Sequence, residues 1–196
     1  MSDQQTQRWA TISLERIWPR VAAEFEAWAA AEPAAWADFE ARLRREWGRL
    51  FALLLGLYGQ HYDFFYQLEQ LVLSAARSWQ GRAGWLKERD RAREGDPQWF
   101  QSQQMVGAVL YVDRFAHTLA GLKERIPYLK GLGVTYLHLM PLFRAPAGNS
   151  DGGYAVSSYR ALNPALGTID ELRVLTAMLH EEGISVVLDF VFNHTS

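Results

Sequence analysis

"ISVVLDFVFNHTS", Ile184 to Ser196, is the stretch on which the fold turns. Its near-continuous run of β-branched and aromatic residues reads as a strand covered on both faces, which is the habit of parallel sheets. An Asp sits inside the run at position 189, and Asn193 with His194 closes it. Alternation along an extended chain would place Asp189, Val191 and Asn193 on one face, with Phe190 and Phe192 on the other. An Asp buried in such a strand needs a strong partner such as an Arg. Polar groups where a parallel strand ends are the usual start of a site.

Two similar runs lie upstream. "MVGAVLYVDRF" (Met105 to Phe115) and "VTYLHLMPLF" (Val134 to Phe143) read as strands, the second stopped by Pro141. Between them Leu122, Ile126, Leu129 and Leu132 recur at helical spacing. Ahead of the third run, Thr168 and Glu171 form a capping box before "LRVLTAMLHEEG", a helix that Gly183 ends. Strand, helix, strand, helix, strand implies a parallel sheet with both faces covered. The first turn lacks a Gly-rich phosphate fingerprint, yet a closed (β/α) barrel and an open doubly wound sheet both remain open on pattern alone.

The chain upstream is different in kind. All eight tryptophans lie between Trp9 and Trp99, whereas nine of eleven valines follow Met105. Phe39, Leu43, Trp47, Leu50 and Leu54 share one helical face, and Leu68, Leu71, Ala75 and Trp79 a second. Pro19 and Pro33 are expected to break or kink the early helices, Gly56 and Gly59 to mark a turn, and "REGDPQW" to end the bundle near residue 95. The expected organisation is a helical N-terminal domain over residues 1–100 and a parallel β/α portion over 101–196.

Composition narrows the function. A net charge of -2, from 20 basic and 22 acidic residues, argues against a nucleic-acid or anionic-membrane partner. Without cysteine there is no disulfide, thiolate metal site or thiol nucleophile. The polar start "MSDQQTQRW" has no signal-peptide layout, and no apolar run reaches membrane-spanning length, so a soluble cytoplasmic protein is expected. His61, His117 and His180 lack acidic or histidine neighbours at ligand spacing. His138 reads as a satisfied strand histidine.

The segment from Pro141 to Thr168 is several times longer than a usual β-to-α loop, and such loops are commonly functional. It carries Asp151, two glycines and Tyr154. A carboxylate beside a ring suits a sugar, accepting from hydroxyls while the ring packs on C–H groups. Asn-Ser-Asp-Gly-Gly is equally good turn chemistry. His194 can donate to a ligand hydroxyl, whereas Asp189 and Asn193 are as well read as structural.

These residues resemble the α-amylase family, glycoside hydrolase family 13. "DFVFNHTS" is similar to its Asp-x-Val-x-Asn-His region, and "SDGGYAVSSYRALNPALGT" to the stretch after its second barrel strand. Ala155, where many related α-glucosidases have Asp, is most like the amylosucrase branch, as is the Trp-rich helical domain. The resemblance implies that residues 101–196 are the first part, about three β/α units, of a (β/α)8 TIM barrel. It implies a retaining reaction in which an enzyme carboxylate displaces fructose from sucrose and the glucosyl group passes to an α-1,4-glucan. Asp151, Tyr154 and His194 would then bind substrate, with Asp151 paired to an Arg from later sequence. Asp189 and Asn193 would be supporting residues. Asn193 matches a calcium ligand of some α-amylases, but no metal or cofactor is expected. The family's nucleophile and acid/base follow strands four and five, so no catalytic residue is expected within this chain. A barrel of this type takes ~250 residues, and Met105 to Ser196 supplies 92. The chain is therefore expected to be a portion, inactive alone and marginally stable. Alternatives are a sucrose hydrolase or another α-glucosidase, or a non-catalytic helical glucan-binding module.

Overall fold

The computed structural model describes residues 3–196 and separates into two compact units, the first reaching Ala92 and the second running Arg93–Ser196. The first is helical: α1 (Asp3–Glu24), α2 (Glu26–Ala31), α3 (Pro33–Tyr58), α4 (Phe64–Gln80) and α5 (Gly84–Gly95). Pro33 opens α3 as its first residue, where a missing N–H costs nothing. Pro19 does not end α1, contrary to expectation: the helix continues to Glu24, with Ile17 and Val21 buried on either side.

The buried face of α3 is the expected one. Phe39 and Trp47 are buried, and Leu43, Leu50 and Leu54 pack against the same core. In α4 the stripe is offset from the expected one. Phe64, Leu68, Val72, Leu73 and Ala76 are buried, whereas Leu71 and Ala75 face solvent. The core contains a cluster of rings: Trp18 stacks on Trp36 at 5.1 Å, and Trp28 meets Trp36 edge-on at 5.3 Å. Trp47 completes its burial by donating from Nε1 to the Ala10 carbonyl at 2.7 Å. Lys87, also buried, places its ammonium 5.9 Å from the Trp28 ring and 5.8 Å from Trp79, a cation–π arrangement that draws α5 onto this core. Among the described residues no helix is long and apolar enough to cross a membrane.

The second unit contains β1 (Gly107–Leu110), α6 (Val112–Ala116), α7 (Leu119–Glu124), α8 (Ile126–Gly131), β2 (Tyr136–Leu139), β3 (Phe143–Arg144), β4 (Ser158–Leu162), α9 (Ile169–Glu181) and β5 (Ser185–Leu188). β1, β2 and β5 form a parallel sheet in that order, with Leu110, Leu139 and Leu188 in register. Ala108, Leu110, Leu137, Leu139, Val186 and Leu188 share the face that joins the helical core of Leu119, Leu122, Leu129, Leu175 and Leu179. The chain is thus a helical N-terminal part followed by the first strands of a (β/α) barrel. The Thr168–Glu171 capping box is formed in full, and Gly183, at φ +79°, takes the left-handed position just past α9.

Two expectations need correction. All three strands are four residues long, so the first apolar run yields to α6, which carries Asp113. β5 stops at Leu188, so residues 189–196 are not strand, and the alternation expected for Asp189, Val191 and Asn193 does not apply. The reason lies in the partner: Asp189 N–H donates to Leu139 O at 3.0 Å, and Pro141 has no N–H with which β2 could continue the ladder. The Pro141–Thr168 segment is in turn no plain loop. β3 and β4 pair antiparallel within it, with an irregularity between Phe143 and Arg144.

Candidate functional site

The carboxyl ends of β1 and β2 open onto a groove of about 890 Å³, whose walls include Tyr111, Asp113, Pro141 and Gly153. That is the end at which parallel β/α sheets bind ligands. The helical unit has its own groove of about 580 Å³, but Trp9, Ile12, Ile17 and Phe65 make its wall mainly apolar, and its Arg20 is already held by Glu69. Only the first combines rings with polar groups at strand ends.

The β3–β4 hairpin tip forms a 3-10 turn, Asp151–Gly153, that sets the site. Asp151 is exposed and holds a left-handed φ of +48°, an uncommon backbone state for a residue with a side chain. Gly153, at φ +95°, lies so near Pro141 that a Cβ there would come within 2.9 Å of the proline Cβ. This turn delivers Tyr154, whose N–H donates to Asp151 O at 3.1 Å.

Tyr154 is half-buried, and its hydroxyl donates to Asp189 Oδ2 at 2.8 Å. The partner expected for Asp189 was an Arg; the one observed is a tyrosine. Holding the proton beside a carboxylate pushes the phenol up to about 12, with desolvation and the neighbouring Tyr111 adding to the effect. Tyr154 is therefore a neutral hydrogen-bond donor across the physiological range.

Gly152 and Gly153 line the strand-end groove, whereas Asp151, Tyr154, Asp189, Asn193 and His194 do not. His194 and Asn193 are exposed, with Asn193 Nδ2 3.5 Å from His194 Nδ1. Tyr159, on β4, donates to the Val191 carbonyl and lies 3.4 Å from the His194 carbonyl. Tyr154 and Asp189 are thus in contact, Asp151 adjoins Tyr154 through the backbone, and His194 is linked to the hairpin through Tyr159. His138 is not the satisfied histidine expected: its Nε2 is buried without a hydrogen-bond partner, between Val109 and Val187 in the sheet register.

Sequence reasoning missed Tyr111, Tyr159 and the rings around them. Phe190 stacks on Tyr159 at 4.8 Å and meets Phe143 edge-on at 5.1 Å. The available signal was position: Tyr111 directly follows the first strand, as Asp189 follows the third.

Comparison with known proteins gives the family. The family described as "Alpha amylase, catalytic domain" matches residues 90–196. Trehalose synthase of Pimelobacter sp. (strain R48) is 35% identical over 106 residues, 52% of this chain and 18% of that protein. The probable oligo-1,6-glucosidase 2 of Bacillus subtilis (strain 168) is 37% identical over 78 residues, 40% of this chain and 14% of that protein. A solved structure of the trehalulose synthase MutB from Pseudomonas mesoacidophila MX-45 is similar with a TM-score of 0.42 at 30% identity, covering 47% of this chain and 18% of that one. The chain spans less than a fifth of the length of these relatives. It belongs to the α-amylase family, glycoside hydrolase family 13, a family of glycoside-active enzymes.

Proposed function

We propose that the chain supplies one wall of the glucosyl pocket of an amylosucrase-like transglucosidase, an enzyme that moves glucose from sucrose to α-1,4-glucan by a retaining mechanism. The observation that carries the reading is the Gly152–Gly153–Tyr154–Ala155 turn, which sets a neutral phenol beside a carboxylate at the strand ends. In this reading Tyr154 stacks on the transferred ring, Asp151 closes the pocket with an Arg from outside the chain, and His194 holds the primary hydroxyl. Asp189 and Asn193 support these groups. The nucleophile and acid/base come from outside Met1–Ser196, and residues 1–100 form an accessory helical domain.

Calorimetric titration of sucrose into the chain tests the reading. Measurable binding is expected, weakened about fivefold by Tyr154→Ala if ring stacking contributes about 1 kcal/mol. No fructose should be released. Binding unaffected by Tyr154→Ala, or turnover by the chain itself, contradicts the proposal. The names of the relatives favour a second reading, an α-glucosidase, and a sucrose hydrolase is the related alternative. The two readings separate on whether the complete enzyme delivers glucosyl to glucan or to water.

A further inference from the structure

Tyr159 stands in β4 with its ring in a fixed seat. It stacks on Phe190 at 4.8 Å with planes 18° apart, and meets Phe143 edge-on at 5.8 Å. The seat aims its hydroxyl at the turn after β5, where it donates to Val191 O and lies 3.4 Å from His194 O. Packing also holds part of that turn: Val191 is buried in the core, and the Phe192 ring lies 4.6 Å from Phe190. β5 ends at Leu188, Phe192 is 88% exposed, and His194 is exposed. Two other links join the hairpin to this segment, Tyr154 to Asp189 at 2.8 Å and Ser196 N–H to Val156 O at 3.0 Å. They hold its two ends. Among the described residues, the side-chain hydrogen bond that reaches from the hairpin to the Val191–His194 turn itself comes from the Tyr159 hydroxyl.

We propose that Tyr159 is a positioning residue for His194: its hydroxyl fixes the Val191–His194 turn so that the imidazole is held ready for a sugar hydroxyl. The sugar in this statement rests on the reading under Proposed function; the positioning does not. The physical gain is pre-organisation. An exposed turn left untied must be ordered when ligand binds, and a turn already held by the protein avoids that cost. Tyr159 touches no substrate itself. It joins the hairpin that carries Asp151 and Tyr154 to the segment that carries His194.

The experiment is nuclear magnetic resonance on the full chain with ¹³C-labelled histidine. The chain has five histidines, and His194→Gln identifies the signal of interest. Tyr159→Phe keeps the ring seat and removes only the hydroxyl. The expected result is a shifted or broadened His194 resonance with the other histidines unchanged. Sucrose should then have to rise about fivefold to produce the same response, as the loss of one ordinary hydrogen bond implies. A His194 signal and sucrose response identical in both proteins overturns the proposal. If sucrose moves His194 in neither protein while Tyr159→Phe still displaces the resonance, positioning is upheld and the sugar reading falls. Should Tyr159→Phe lose its helical circular dichroism, the wild-type hydroxyl proton is read directly in labelled tyrosine. Slow exchange supports the tie. Exchange as fast as that of Tyr62, which is 101% exposed, overturns it.

Discussion

In the helical unit a chain of rings runs through the core: Trp18 and Trp28 both meet Trp36 and Phe39, and Trp47 leads on to Phe51 and Phe64, with Leu14, Ile17, Val21, Leu68 and Val72 buried beside them. In the β/α unit the same work falls to aliphatic chains, Leu137 and Leu139 from the sheet against Leu119, Leu122, Leu175 and Leu179 from the helices. The difference follows from geometry. Packed helix surfaces leave irregular gaps, which large flat side chains fill. A parallel sheet presents a regular pleated surface that suits branched side chains. The two also differ in where polar groups can gather. A helix spreads them along its exposed side, whereas parallel strands all stop at one end and concentrate them there. Tyr111, Tyr154, Tyr159 and Phe190 sit toward that end, although Tyr154 and Tyr159 also pack against the core, in which Phe143 is buried.

The largest expected effect tests the ring-packed core. Phe51 is fully buried and stands between Trp47 and Phe64. Phe51→Ala should cost about 4 kcal/mol in chemical denaturation. A loss no greater than that of an exposed substitution would show that the rings do not carry this unit. The next effect belongs to the strand-end turn. Gly153→Ala puts a Cβ 2.9 Å from Pro141 at a φ of +95° and should cost about 2 kcal/mol. It should also displace Tyr154, seen as a change in that residue's titration. A silent Gly153→Ala would mean that the turn, and with it the tyrosine, is not held as described.

Much of this was legible in the residues themselves. The Thr168–Glu171 box, the Gly183 terminus and the α3 stripe are local patterns, and local hydrogen bonding or periodicity produces each of them. What was not legible depended on a partner elsewhere in the chain. β5 ends at Leu188 because Pro141 has no N–H with which β2 could continue the ladder, a fact about residues some fifty positions earlier. The β3–β4 hairpin hid in a segment rich in Pro, Gly and Ser, where a two-residue strand leaves no period to detect. The α4 stripe was displaced because Leu71 and Val72 are equally apolar, and only packing decides between them. For the site, Tyr154 and Asp189 were both conspicuous, but their contact spans 35 positions and no spacing rule connects them.

That contact also offers the smallest and cleanest effect. Tyr154 has its proton affinity raised in the folded chain, so the tie stabilises fully below the ordinary tyrosine pKa of about 10. The contribution is lost as pH rises through that value toward the folded value of about 12. Ultraviolet titration of tyrosinate in the wild type and in Asp189→Asn tests most directly the claim that the hairpin is tied to the segment after β5. The account predicts one tyrosine ionising near 12 in the wild type, falling toward about 10 in Asp189→Asn. Identical titration curves in the two proteins would contradict it.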